Sequence, residues 1–246
     1  VLAKGKWMGA IYSFLVVLVI WWAVAEILRL PIVPSPDKVF INIIEIFKAK
    51  IAIHVLYSLG RILAGIAISI LVGVPVGFLM GYYNKVDKVL SPLIYFTYPV
   101  PKLALLPVVM LLFGLGEVSK LIMIILIVVF QIVISSRDAV KSIPEETFRS
   151  LQSLGASKLQ TFNEIILPAS LPEVLTATRL ALGTAVSILF FTETFGTEYG
   201  MGYFIMDSWM RVNYLDMYAG IVILSFMGFL IFTVIDLAES YMCSWR

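Results

Sequence analysis

Apolar residues fill this chain in blocks long enough to cross a bilayer, and the polar positions between them are few and clustered. A hydrocarbon core of about 30 Å needs roughly 20 apolar residues at helical rise. On that measure the runs Trp7 to Ala25, Leu56 to Tyr83, a proline-rich stretch ending near Phe113, Val118 to Ser135, Val174 to Phe195 and Tyr218 to Tyr241 predict six transmembrane helices. The first run also carries Ala23-Val24-Ala25, which imitates a signal-peptide cleavage site. Its length, and Trp21-Trp22 as interfacial aromatics, favour a retained span instead. Pro31, Pro34 and Pro36 then punctuate a loop, and Ser35-Pro36 reads as a cap with proline in the first helical turn. Val39, Ile43, Ile46 and Phe47 share one side of that helix, which is expected to lie along the outer membrane surface.

The one long polar interruption is Ser142 to Glu173. Within it Ser142, Ser157 and Ser170 each stand three residues before Glu145, Gln160 and Glu173, the spacing of a capping box. Gly155 can take the left-handed conformation that ends a helix, and Leu167-Pro168 is expected to stop the next one. The segment therefore predicts helix, turn, helix, stop. Phe148 and Leu151, then Leu159, Phe162, Ile165 and Ile166, recur at helical spacing and give each helix one apolar edge, with Glu146, Arg149, Lys158, Gln160 and Glu164 around it. Two readings of that edge stand open: it folds back on its own protein, or it fills a groove on a partner.

Two spans carry patterns of their own. Gly65, Ser69, Gly73, Gly77 and Gly81 fall at successive fourth positions, a smooth stripe on which another helix can approach closely. Pro75 within it is expected to bend the helix. The third span contains Pro92, Pro99, Pro101 and Pro107, which predicts a broken helix of the kind tolerated where backbone lines a cavity. Tyr95, Tyr98 and Pro99 beside that break are candidates for the translocation path, with aromatic packing as the alternative. Ionisable groups inside spans are functional candidates because burying them without a partner is costly. Arg61, Arg179, Glu193 and Asp236 qualify. Arg179 and Asp236 lie near span ends, so Glu193, between Thr192 and Thr194, is the stronger candidate for the path or its outer gate.

Composition fixes the class: 61% of residues are hydrophobic, 14% are charged and the mean hydropathy is +0.99, so the chain is an integral membrane protein. A net charge of +2 points to no nucleic-acid partner. One cysteine, Cys243, and one histidine, His54, form no disulfide or familiar metal-ligand spacing, and no catalytic set is recognisable. Gly114 to Lys120 imitates a phosphate-binding loop but has Ser119 before its lysine and Leu121 after it, so ATP binding by this chain is not expected. Six spans put both termini on the side of the polar segment, which carries nine basic residues, including Lys4, Lys6 and Arg246, against six opposite, including Lys120. The bias has the sign expected for a cytoplasmic polar segment.

Gly155, nine residues, Ile165, one residue and Leu167-Pro168 resemble the loop signature of ABC transporter permeases of the binding-protein-dependent import type. In that signature Glu-Ala-Ala stands where this chain has Arg149-Ser150-Leu151, a departure that removes the glutamate but not the helix-turn-helix shape. The runs LGASKLQTFNEIILPASLPEVLTATRLALG and YPVPKLALLPVVMLLFGLGEVSK are similar to the nitrate, sulfonate, taurine and bicarbonate branch. The resemblance implies an all-helical permease domain spanning 1–246, with six transmembrane helices and a cytoplasmic coupling segment at about 142–173. It implies a multi-pass location in a prokaryotic cell membrane, with a second copy of the permease, two ATP-binding subunits and an extracytoplasmic solute-binding protein as partners. ATP would be bound by the partner subunit, and Glu145, Phe148, Arg149, Leu151, Gly155, Ala156, Ser157, Leu159, Phe162, Ile165, Leu167 and Pro168 would transmit its cycle. A secondary transporter or channel also accommodates bent apolar spans, but has no need of a docking pair of helices.

Overall fold

The computed structural model describes residues 2–243 and 245, and those residues form helices and the turns between them. The side chains of Lys4 and Lys6, and Arg246, all counted in the charge bias, lie outside the described residues. Helix α1 (Leu2–Leu28) leads through the proline loop to α2 (Pro36–Ile46), where Ser35 and Pro36 occupy the expected cap and first-turn positions. The helix on which the outer-surface expectation rested is not separate from the next span. A π turn at Phe47–Ile51 runs directly into α3 (Ala52–Tyr82), making one 47-residue helical stretch from Pro36 to Tyr82. No glycine or proline lies between Pro36 and Ile51 to stop it, and Asn42 and Lys50 are tied to Asp216 at 2.9 and 3.1 Å.

Pro75 sits inside α3 without interrupting it. After Tyr83 the expected broken span appears as α4 (Asn84–Thr97), a short 3-10 turn at Lys102–Leu105 and α5 (Leu106–Phe113), with a bend of 78° across Pro99 and Pro101. Proline supplies no amide hydrogen and pushes its predecessor out of the helical region, so two of them in three residues end one helix before the next begins.

Helix α6 (Glu117–Lys141) packs along α3 on the small-residue stripe. A Cβ added at Gly65 would lie 2.5 Å from the Ile124 side chain, and one at Gly77 would lie 2.6 Å from the Val133 carbonyl oxygen. The two backbones are therefore closer than any larger residue allows, which is how spans associate where lipid offers no hydrophobic drive. Ile62, Ile66, Met123, Ile124, Val128 and Ile132 form the centre of the resulting core.

The polar segment folds as α7 (Glu145–Ser153), α8 (Lys158–Thr161) and a π turn at Phe162–Ile166, followed by α9 (Leu167–Glu193), α10 (Met201–Met210) and α11 (Tyr214–Met242). Two of the three expected capping boxes are absent. Ser142 instead closes the end of α6, its hydroxyl donating to the Ala139 carbonyl at 2.7 Å, and Pro144 occupies the start of α7. Ser170 is buried within α9. The expected stop at Leu167-Pro168 does not occur either, and helix runs from Lys158 to Glu193. Pro168 falls in the first turn of α9, where its missing N–H and fixed φ suit a helix.

Four continuous stretches of the described residues are long and apolar enough to cross a membrane: Pro36–Tyr82, Glu117–Lys141, Lys158–Glu193 and Tyr214–Met242. The bent α4–α5 pair makes five. The sixth expected span corresponds to α1, whose apolar part Tyr12–Leu28 is shorter.

Candidate functional site

Chain direction divides the bundle into two ends. Helix α6 runs towards the α7–α8 elbow and α9 runs away from it, so Lys141 and Lys158 lie at the elbow end while Glu117 and Glu193 lie at the far end. Functional side chains collect at both.

At the elbow, Gly155 adopts φ +80°, the Gly155 amide donates to Gln152 at 2.9 Å and the Ala156 amide to Leu151 at 3.4 Å. This paired closure satisfies two carbonyls that the end of α7 would leave open. The third expected capping box is present: the Gln160 amide donates to the Ser157 hydroxyl at 3.3 Å, and the Ser157 amide to the Gln160 side chain at 2.7 Å. The turn is therefore defined from both sides. Its apolar edge divides between the two readings. Phe148 packs against Tyr82 and Phe162 against Phe78, with ring centroids 5.9 and 6.0 Å apart, and Ile165 and Ile166 are buried. Leu154 and Leu159 point outward, 82% and 69% exposed, beside an exposed Arg149–Glu145 pair at 2.9 Å. The inner half of the elbow thus grips α3 while the outer half presents apolar surface.

The proline break carries Tyr95 and Tyr98, both half exposed. Arg137 donates to the Tyr95 hydroxyl at 3.2 Å and to Asp87 at 2.6 Å, and Lys102 lies 5.3 Å from the Tyr98 ring centre. Tyr95 therefore belongs to a charged cluster on the elbow side. Pro99 lies in the bend itself.

Glu193 sits at the opposite end, completely buried, as the centre of a polar cluster. Arg61, only 3% exposed, donates through Nη1 to Glu193 at 2.6 Å and to the Tyr199 carbonyl at 2.8 Å. Its other nitrogens grip both oxygens of Glu117, with Nε at 2.6 Å. Ser58 donates to Glu193 at 2.8 Å and accepts from the Met201 amide at 2.8 Å. The Gly202 amide donates to Glu193 at 2.9 Å, and the Gly200 amide to His54 Nδ1 at 3.0 Å. Three amides at the start of α10, which the helix itself leaves open, are thus satisfied by His54, Ser58 and Glu193. A carboxylate there also faces the favourable end of the helix dipole. The His54 ring accepts at Nδ1, so its proton resides on Nε2.

Lys120 completes the far end. Almost wholly buried, it donates to the carbonyls of Leu115 at 2.9 Å, Gly116 at 3.2 Å and Gly196 at 3.3 Å. It cross-links the loops before α6 and after α9 and is not the exposed loop cation assumed in the charge bias. Over this cluster opens a cavity of about 600 Å³, walled by Leu115, Thr197, Tyr199, Tyr203, Met206 and Asp207 among others. Among the described residues no three His, Cys, Asp or Glu side chains converge as metal ligands.

Sequence reasoning selected Arg61 and Glu193 separately but not their union, nor the parts taken by His54, Ser58, Glu117 and Lys120. One signal was present: His54, Ser58 and Arg61 are spaced by four and three, so three polar groups share one face of an apolar helix. Arg179, expected near the membrane edge, instead pairs across to α11, with Asp236 at 2.9 Å and with Glu239.

An all-helical bundle with apolar spans, a broken helix and a structured polar elbow defines a polytopic membrane protein. Residues 73–242 match the family described as binding-protein-dependent transport system inner membrane component, and the chain belongs to that family. It is 33% identical to the taurine transport system permease protein TauC of Escherichia coli (strain K12) over 230 residues, covering 90% of this chain and 84% of the relative. It is 30% identical to the formylaminopyrimidine transport permease protein ThiX of Halalkalibacterium halodurans, covering 95% and 94%. A solved chain of the MetNI methionine ABC transporter, in an inward-facing conformation, shares the fold with a TM-score of 0.68 at 20% identity, over 77% of this chain and 94% of that one. The protein is accordingly an inner-membrane permease subunit of an ABC importer, a family whose members act with ATP-binding subunits and a substrate-binding protein.

Proposed function

We propose that two copies of this chain enclose the translocation pathway, with the α7–α8 elbow and the termini in the cytoplasm and an ATP-binding subunit seated on each elbow. The elbow carries this reading. It is fixed inwardly by Phe148 and Phe162, braced at its turn by Gly155 and the Ser157–Gln160 box, and it offers Leu154 and Leu159 outward. An apolar patch on a rigid mount is what a partner needs in order to push on the spans, and ATP biases the permease only if its bound form prefers one arrangement of them. The far end then faces the solute-binding protein. The solute is a small anion of the sulfonate or bicarbonate kind, a reading supported by the similarity to a taurine permease.

Reconstitution with co-purifying subunits tests the proposal. Uptake that requires ATP and a binding protein is expected, with sulfonates and bicarbonate among the solutes that stimulate hydrolysis. Transport without ATP or any ATPase subunit overturns it. Gly155 has open space where a side chain would go, so substitution there acts on backbone conformation alone. Gly155→Val is expected to release the ATPase while the spans stay inserted, whereas Gly155→Asn, which tolerates the left-handed region, retains it. Wild-type co-purification by the valine variant excludes the elbow as the mount.

A further inference from the structure

We propose that Arg61 and Glu193 form a lock on the outer end of the pathway, in which Arg61 stays fixed to the α3–α6 block and releases the segment from Thr194 to Met210 when the outside opens. The assignment rests on the importer reading and its orientation, and on how the guanidinium divides its bonds. Nε and Nη2 hold the two oxygens of Glu117, on the helix whose spacing to α3 is fixed by the glycine stripe. Nη1 reaches across to Glu193 and to the Tyr199 carbonyl, and Nη2 adds a longer bond to the Thr197 hydroxyl at 3.5 Å.

Those two anchorages differ in their environment. The Glu117 side chain is 52% exposed, so its pairing with Arg61 already stands beside water and the entry of more changes its surroundings little. Glu193 is fully enclosed, and its carboxylate receives Arg61, Ser58 and the Gly202 amide together. Releasing α10 frees the Gly200, Met201 and Gly202 amides, His54, Ser58 and Glu193 in one event, because these groups satisfy one another. A buried polar network that is half satisfied is worse than one intact or one fully hydrated. The lock is therefore two-state.

The segment it holds turns on two glycines. Gly196 and Gly200 bracket the loop at φ +57° and +137°, values that other residues rarely adopt. Gly202 lets the α10 backbone lie against α9, since a Cβ there would fall 2.8 Å from that of Glu193. Thr197 and Tyr199 join the lock to the open cavity above it: Tyr199 is bonded by Arg61, and both residues line the cavity wall.

The test uses the complete reconstituted transporter, whose wild-type ATP-dependent uptake establishes the importer reading beforehand and separately. With Cys243 changed to Ser, Leu115→Cys and Thr197→Cys are joined by a short, reducible bifunctional thiol reagent across the two loops. Uptake is expected to fall at least tenfold after joining and to return on reduction, with the ATP-binding subunits still bound. Uptake unchanged by complete joining overturns the lock. In parallel, Glu193→Gln keeps shape and removes charge. It is expected to raise hydrolysis in the absence of the binding protein several-fold and to shrink the stimulation the binding protein produces. An assembled Glu193→Gln transporter with the wild-type ratio of stimulated to unstimulated hydrolysis also overturns it, and if that variant does not assemble the joined pair decides.

Discussion

Arg61 shows how much one side chain is asked to do in this protein. It is buried to 3% exposure and shares its five donors among Glu117, Glu193, the Tyr199 carbonyl and the Thr197 hydroxyl. Deleting one member of a buried ion pair leaves an uncompensated charge, a loss of about 3–5 kcal/mol. Arg61→Met is therefore expected to lower thermal stability in detergent sharply, and Arg61→Met with Glu193→Met to recover part of the loss, since no buried charge is then left without its counter-charge while the Gly202 amide still lacks its acceptor. A double variant no more stable than the single ones would refute the coupling. Ser58 is engaged on both sides, by Glu193 and by the Met201 amide. Ser58→Ala leaves a buried amide without its acceptor and is expected to cost about 1–3 kcal/mol in the same measurement.

At the scale of helices, the same substitution has opposite outcomes at two positions of α3. A methyl at Gly60 meets nothing within 4 Å, while one at Gly77 lies 2.6 Å from both a carbonyl oxygen and the Ser136 Cβ of α6. Gly60→Ala is expected to be neutral or to stabilise by up to about 1 kcal/mol, because alanine favours helix. Gly77→Ala forces α6 away and is expected to destabilise by about 1–3 kcal/mol. Melting of the two purified variants checks the sign of each. The elbow makes a complementary case: Leu154 and Leu159 are exposed in the isolated chain, so Leu159→Asp is expected to leave its melting unchanged and to reduce retention of the ATP-binding subunit. Loss of melting stability would mean that Leu159 serves the chain itself.

Across the whole molecule, α3, α6 and α9 join the elbow to the far-end cluster, and each carries a residue of both. Helix α3 offers Arg61 and Tyr82, α6 offers Glu117 and Val140, and α9 begins beside Ile166 and ends at Glu193. A rearrangement imposed at one end therefore reaches the other through packed helices rather than through loops. Labelling Thr197→Cys with a soluble thiol reagent is expected to change in rate several-fold with nucleotide in the assembled transporter and to be insensitive to nucleotide in the chain alone. A rate indifferent to nucleotide in the assembly would show that the two ends are not coupled.

Periodicity and composition were enough to establish a membrane-embedded helical chain, the tight face of α3, the broken helix at Pro99 and Pro101 and the Gly155 turn. Each is a local consequence of spacing, of proline's missing amide or of glycine's missing Cβ, and needs no knowledge of distant residues. Helix continues through Leu167-Pro168 and from Pro36 past Leu56, where local signals predict breaks, because a π turn can absorb an extra residue within a continuous helix. The pairing of Arg61 with Glu193, 132 positions away in sequence, and the capture of α10 by His54 and Ser58 were decided by tertiary structure alone. A charge in an apolar helix announces that it needs a partner, but only the packing of α3 against α6 and α9 determines which one lies within reach.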